Sequence, residues 1–342
     1  MNKKIIYGTI AIIFLIGGII GFNFYQKIFG KSINKDGVIY IGSNYHLMDL
    51  KKLLHEYTNT PENFVYVANK KKFTKPKGGK YTLKKGMSMN DVVNLLRSGN
   101  QTPIKVSFNN QDTLEKLAGR IAQQIETDSI SLLKAMTDVT FLSQNGFNRQ
   151  TALEIYIPNS YEFYWNTSAN KFRNKMLREY KRFWNQSRLE KAKKLNLTKS
   201  EVIALASIVQ KETAQKSERP IVAGLYLNRL KDNWLLQADP TLIYAIKQLN
   251  GQDFVVKRVL NKDKEIKSPY NTYKNIGLPP SLIAMPDVSS IDAVLNYKKH
   301  KYFYMCASIE KIGFHDFATT LAQHNRNAAK YQRWISQQGI RR

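Results

Sequence analysis

The chain has 342 residues, with 53 Lys and Arg against 26 Asp and Glu, a net charge of +27 at pH 7. Such an excess suits polyanionic surroundings: nucleic acid, anionic lipid headgroups or acidic wall polymers. A single cysteine, Cys306, excludes an internal disulfide framework, and without a zinc-ligand cluster, helix-turn-helix signature or RNA-binding aromatic motif no nucleic acid partner is expected.

The first element is apolar. Ile5 to Phe24 contains no charged residue, and as a helix it would rise about 30 Å, enough to cross a bilayer core. Lys3 and Lys4 flank one side and Lys27, Lys31 and Lys35 the other, so charge count alone does not orient it. Gly21 to Tyr25 lacks a small-x-small cleavage pattern, which favours an uncleaved anchor over a signal peptide. The expected layout is a cytoplasmic tail at 1–4, a transmembrane helix at 5–25, a polar linker at 26–37, and the rest of the chain outside the cytoplasmic membrane.

Val38-Ile39-Tyr40-Ile41 reads as a strand, followed by a helical stretch around Met48 to Tyr57. Lys75-Pro76-Lys77-Gly78-Gly79 is a basic turn leading into the strand-like Lys80 to Leu83. Ser88 or Asn90 is placed to cap an amphipathic helix carrying Val92, Val93, Leu95 and Leu96, with Gly99 as its terminal glycine. Together these predict a small α+β module over 38–103, a usual size for a minor domain. Pro103 to Phe108 alternates like a strand and opens a larger region, 104–342. Helical patterns there cover Leu114 to Ile125, Ile130 to Met136, Asn170 to Trp184, Ile221 to Leu230 and Thr320 to Gln338. Cys306, in the apolar run Tyr302 to Ala307, is expected as a core thiol.

Between them lies the most informative helix. Thr198-Lys199-Ser200-Glu201 has the capping-box pattern, and Val202 to Val209 is apolar on nearly every face, as in a helix buried inside a domain. At about 100° per residue, Glu212 projects only about 20° from Leu205 and about 40° from Ile208. A carboxyl beside apolar neighbours resists ionisation, and an acid still protonated near neutral pH can donate to a leaving group. A Glu paired at a helix end would look the same from this segment alone.

Polar and aromatic residues gather in the second half. Leu236-Gln237-Ala238-Asp239-Pro240-Thr241, Tyr270-Asn271-Thr272-Tyr273, Gly277-Leu278-Pro279-Pro280, His315-Asp316-Phe317 and His324-Asn325 lie in segments rich in turns. Amide, hydroxyl and aromatic side chains suit a saccharide site, hydrogen bonding the hydroxyls and covering the C–H faces. His315 and His324 are nine residues apart, which does not match a compact helical metal motif, so neither metal nor cofactor is expected.

These segments, taken in order with Ala206-Ser207-Ile208-Val209-Gln210-Lys211-Glu212-Thr213, Ser217-Glu218-Arg219 and Asn228-Arg229-Leu230, closely resemble the MltG (YceG-like) endolytic peptidoglycan transglycosylases. Upstream, Lys80-Tyr81, Gly86-Met87-Ser88 and Leu95 to Gly99 look like that family's LysM-like module. The resemblance implies an α+β chain with one N-terminal transmembrane helix, a LysM-like module at 38–103 and a YceG-like catalytic domain at 104–342. It places the catalytic glutamate at Glu212. Candidates for holding substrate are Gln237, Asp239, Tyr270, Asn271, Thr272, Tyr273, His315, His324 and Asn325. Two positions depart from the family pattern: Gln210 stands where an acid is usual, and Ile157-Pro158-Asn159-Ser160-Tyr161 replaces Phe-Pro-Asp-Thr-Tyr.

The implied reaction cuts the glycan strand between N-acetylmuramic acid and N-acetylglucosamine without water, with one carboxyl acting as acid and then as base. The implied partners are peptidoglycan strands, the cytoplasmic membrane and cell-wall synthases. A muramidase would use two carboxyl groups flanking the bond, with Asp239 as the second. In a wall-binding scaffold Glu212 would be only structural.

Overall fold

The computed structural model describes residues 3–256 and 258–338. Met1 and Asn2 of the expected tail, Lys257, and the last four residues of the expected catalytic domain lie outside the described residues. The chain divides into two compact units.

The first unit comprises Met1–Val106, Ala122–Asp128 and Tyr161–Ser168. Helix α1 (Lys3–Phe29) carries the apolar run, which is bare along its length, Phe14 being 77% exposed. Its stretch Lys4–Phe29 is long and apolar enough to cross a membrane. After it come β1 (Gly37–Ile41), α2 (Leu47–Leu54), α3 (Glu62–Lys70), β2 (Gly79–Leu83) and α4 (Met89–Ser98). β1 and β2 pair antiparallel, Gly37 opposite Leu83 and Ile41 opposite Gly79. One face of the pair buries Ile39, Ile41, Tyr81 and Leu83 against Leu50, Leu54, Phe64, Val67, Val92 and Leu96. α4 begins where Ser88 accepts from the Asp91 amide (3.1 Å) and Asp91 accepts from the Ser88 amide (3.0 Å), a reciprocal cap. It ends at Gly99, whose φ of +73° suits glycine.

Residues 26–37, expected as a linker, are folded: Ile28 packs on this core, Ile33 is 2% exposed within it, and the Ile33 amide donates to the Met87 carbonyl (3.0 Å). Two returns of the chain assigned above to the larger domain also belong to this unit. Ser43 donates its amide and hydroxyl to the Glu126 carboxylate, both at 2.6 Å, and Asn166 donates to the Gly78 carbonyl (2.9 Å).

Two of the crossings between the units fall within β3 (Ile104–Phe108) and β4 (Asn159–Phe163). The second unit is Ser107–Ile121, Ser129–Ser160 and Ala169–Arg342. Its helices are α5 (Leu114–Ala122), α6 (Ser129–Met136), α7 (Val139–Gln144), α8 (Ala169–Phe183), α9 (Gln186–Lys194), α10 (Lys199–Glu212), α11 (Arg219–Lys231), α12 (Asp239–Asn250), α13 (Val288–Leu295) and α14 (Leu321–Gln337), with a hairpin of β5 (Tyr304–Ala307) and β6 (His315–Ala318). α10 is the axis of the core, packed by α9, α11, α12 and α13. Every residue from Val202 to Val209 on it is buried, which explains why its apolar residues show no single face. Truncating one of them, such as Leu205, to Ala would cost about 2–5 kcal/mol. Cys306 corrects the sequence expectation: it is half-exposed on β5, because that strand pairs only with β6.

Candidate active site

The capping box starts α10. Glu201 donates its amide to Thr198 Oγ1 (3.2 Å), and its carboxylate accepts from the Thr198 amide (2.7 Å). The helix stops at Glu212 because Thr213 turns extended. Tyr226, on α11 and 2% exposed, donates its hydroxyl to Glu212 Oε1 at 2.6 Å. Burial pushes the Glu212 carboxyl up to about 7; the Tyr226 bond opposes the rise, Asp239 adds to it by charge, and His315 and Arg229 oppose it. Half of such groups hold their proton near neutral pH.

Each neighbour is itself fixed. Arg229 is buried, its Nε donating to the Phe303 carbonyl at 2.8 Å and its Nη1 to the Leu236 carbonyl. His315, on β6, donates its backbone amide to Glu218 Oε1 (2.7 Å) and sets Nδ1 2.9 Å from Oε2. Those bonds raise the imidazole's pKa. Burial would raise Glu218, but the bonds from His315 outweigh it and hold its carboxyl low. Asp239, exposed at the start of α12, accepts from the Tyr273 hydroxyl at 2.6 Å.

The structure therefore brings Glu212, Asp239, Tyr273 and His315 into one electrostatic group. Gln237 is exposed two residues before Asp239 in a left-handed conformation (φ +50°), its amide donating to the Thr272 carbonyl at 3.0 Å. His324 is half-buried, stacked on Tyr304 at 5.4 Å with its Nδ1 buried and unbonded; burial, then the charge of Arg229, lowers its pKa. Asn325 is exposed on α14.

Three expected substrate contacts are buried and bonded within the fold. Asn271 is fully buried, donating to the Lys264 (2.9 Å) and Ile266 (2.8 Å) carbonyls and accepting from the Tyr273 amide (3.0 Å). Thr272, 1% exposed, accepts from the Ala238 amide and bonds Thr241 Oγ1 (2.8 Å). Tyr270, 3% exposed, bonds Ser281 Oγ (2.7 Å) and packs on Tyr244. Through these internal bonds they brace the segment bearing Gln237 and Asp239.

Sequence reasoning gave no role to Tyr226, Arg229 or Glu218. Glu218 and Arg229 lay within matched segments, but only folding shows what they touch. Tyr226 stands 14 residues from Glu212 within an apolar helix and gave no signal. Gln210 lies about 200° round the helix from Glu212 and faces α13, bonded to Ser290, so its side chain has no place beside the acid. In the same unit a cavity of about 760 Å³ is lined by Asp112, Arg149, Gln150, Tyr244 and Leu282. Lys211 pairs with Asp112 there at 2.8 Å. Among the described residues no group of three or more His, Cys, Asp and Glu is arranged to hold a metal ion.

Fold and site thus define an α+β protein with one protonatable carboxyl at the end of a buried helix. The sequence pattern of the YceG-like family matches residues 39–330, and the chain belongs to that family. It is 30% identical over 298 residues to the endolytic murein transglycosylase of Bacillus subtilis (strain 168), covering 82% of this chain and 80% of that protein. It is 28% identical over 294 residues to the endolytic murein transglycosylase of Streptococcus pneumoniae serotype 2, covering 78% of this chain but only 53% of the relative. The chain therefore spans about half the length of that pneumococcal protein. A YceG-like protein of Listeria monocytogenes has a similar crystal structure, with a TM-score of 0.56 and 27% identity over 85% of this chain and 98% of that one.

Proposed function

We propose that this chain is an endolytic murein transglycosylase, anchored in the cytoplasmic membrane by α1 with the chain that follows α1 outside. It cuts nascent glycan strands between N-acetylmuramic acid and N-acetylglucosamine and leaves 1,6-anhydro ends. The observation that carries the reading is the Glu212 carboxyl, held by Tyr226 and pushed up to about 7 by burial.

Because Tyr226 donates to Oε1, the proton of the neutral acid belongs on Oε2. That proton passes to the glycosidic oxygen as the C1–O bond breaks and an oxocarbenium-like centre develops at C1. The carboxylate left on Glu212 then takes the proton of the muramoyl 6-hydroxyl, whose oxygen bonds to C1 and closes the anhydro ring. Glu212 ends protonated, ready for another cycle. His315 and Arg229 supply positive charge while Glu212 is ionised, and electrostatic help placed where charge develops is a large part of catalysis.

Gln237, Tyr273, His315, His324 and Asn325 are the proposed contacts to sugar and peptide groups. The strand–helix–helix–strand–helix module β1–α4 of the small unit is proposed as a LysM-like wall-binding element, and synthases that extrude new strands as neighbours on the membrane. Asp239 favours one second reading, a muramidase, since its charge reaches Glu212 and hydrolysis uses two carboxyl groups.

The test is mass spectrometry of products from purified glycan strands, with the parent and Glu212→Gln. Anhydro ends from the parent and none from the variant support the transglycosylase. Reducing ends would point to the muramidase and to Asp239 as the next substitution. No cleavage by a folded parent would sink both.

A further inference from the structure

The end of α1 does not hand over to a free linker; it is built into the small unit. Phe24, three residues before the first charge that ends the run, packs its ring 6.0 Å from that of Tyr66 on α3. Three residues further along α1, Lys27 places its ammonium 4.3 Å from the centre of the same ring. Lys70, one turn after Tyr66 on α3, places its ammonium 5.8 Å from the same ring centre. Among the described residues neither lysine has a carboxylate partner. Ile28 packs on the core, Lys31 forms a bridge with Ser88, and α1 packs against both α3 and α4. Helix and unit are therefore one body at this point.

If the uncharged run lies in the hydrocarbon, its end fixes the depth of Tyr66. One end of a bilayer-crossing run at Phe24 puts Tyr66 at the interface, where the amphipathic Tyr ring is favoured, and puts both ammonium groups at headgroup height. Lys70 is followed by Lys71 and Lys72, and from Lys27 to Lys105 the chain has 15 Lys and Arg against five Asp and Glu. We propose that this face of the small unit, centred on Tyr66 with the Lys27 and Lys70 ammonium groups beside its ring, is a seat for the phosphates of anionic phospholipids, holding the unit down on the bilayer surface. The charge is complementary and the seat is continuous with the membrane-spanning helix. This rests on reading α1 as a membrane span. Its consequence is that the unit reads wall material immediately above the membrane, where a flexible tether would let it range outward.

The experiment uses the full chain in nanodiscs of phosphatidylcholine, with or without phosphatidylglycerol. A water-soluble amine reagent is applied and labelling at each lysine read by mass spectrometry, with the exposed Lys193 of the other unit as internal reference. At the energy typical of a lysine near an anionic surface, Lys27 and Lys70 should label about fivefold more slowly than Lys193 once phosphatidylglycerol is present. In parallel, Tyr66→Trp should gain emission that lipids brominated near the headgroup end of the chain quench. Equal relative labelling in the two lipids, or added emission that such lipids leave unquenched, would overturn the seat. Release of the chain from liposomes by alkaline wash would show instead that the spanning helix was misread, and the seat would fall with it.

Discussion

Replacing Glu212 by Gln should abolish cleavage and, at the same time, make the protein more stable above neutral pH. The folded carboxyl titrates at about 7, against an ordinary value of 4.5. Between those values the folded state keeps a proton that the unfolded state has lost. The parent therefore loses stability as pH rises, by about 1.4 kcal/mol per pH unit. Across the 2.5 units separating the two values this is about 3 kcal/mol, fully lost by about pH 8. Gln copies the neutral acid, and its carbonyl can still accept the Tyr226 hydroxyl. Parent and variant should match in stability below pH 4.5, with the variant gaining as pH rises. For a unit of this size the gain corresponds to a rise in melting temperature of about 6–12 °C.

The assay is thermal unfolding of both proteins in detergent, followed by near-ultraviolet circular dichroism from below pH 4.5 to about pH 8. The difference between the two isolates the one carboxyl. Glu154, a second buried acid that burial also pushes up to about 7, titrates equally in both and cancels. A difference in melting temperature that does not change with pH would mean Glu212 is an ordinary solvated carboxylate. Glu212 would then not be a neutral acid, whatever the activity of the variant.

Tyr226→Phe removes the bond that holds the Glu212 value down. The alkaline limb of the kcat profile should move above its position near 7, with the plateau down roughly tenfold as the carboxyl loses its anchor; an unmoved limb would count against the pairing. Asn271→Ala breaks three internal bonds of a fully buried side chain and should cost about 2–4 kcal/mol in denaturant unfolding. A variant that keeps its stability but binds glycan poorly would show that Asn271 contacts the substrate. Ser88→Ala should cost about 1 kcal/mol, measured in the transition of the small unit and with cleavage unchanged.

What the sequence could show was set by range. Elements whose signals are local came through: the α4 cap at Ser88 and its end at Gly99, the Thr198–Glu201 box, and the apolar run of α10. Helix α9 was missed because Gln186–Lys194 is charged and buries only Ala192, so no apolar stripe marks it. α3 was missed because its buried Phe64, Val67 and Ala68 sit among Asn and Lys next to a Pro. In the site, Glu212 was legible because an acid following eight buried residues is anomalous in one dimension. Tyr270, Asn271 and Thr272 are ambiguous for the opposite reason. Side chains able to bind a sugar are also those able to bind a carbonyl, and composition cannot tell which partner is nearer. Tyr226 and Arg229 emerge only when α11 is laid against α10.

The position of the acid along its helix follows the same physics. The C-terminal end of a helix presents carbonyl oxygens and a partial negative charge, which disfavours a carboxylate there. At the other end amide donors would favour ionisation. Glu212 occupies the last turn of α10, so the helix and the surrounding burial act in one direction, toward the neutral acid. Glu154, in the turn Ala152–Ile155, meets the opposite end of α10 through Ser200. It lies 2% exposed at the N-terminal end, accepts from Ser200 Oγ at 2.7 Å, and has one oxygen without a partner. There the helix end and the Ser200 bond favour the charge that burial opposes. An acid placed at that end would lose its proton more readily for equal burial. A site that needs one carboxyl to start neutral and then carry charge for part of a cycle is better built at the C-terminal end, with the compensating cations, His315 and Arg229, brought from β6 and α11. Moving the acid to the start of the helix would reverse the contribution of the helix to its protonation and leave burial to work alone.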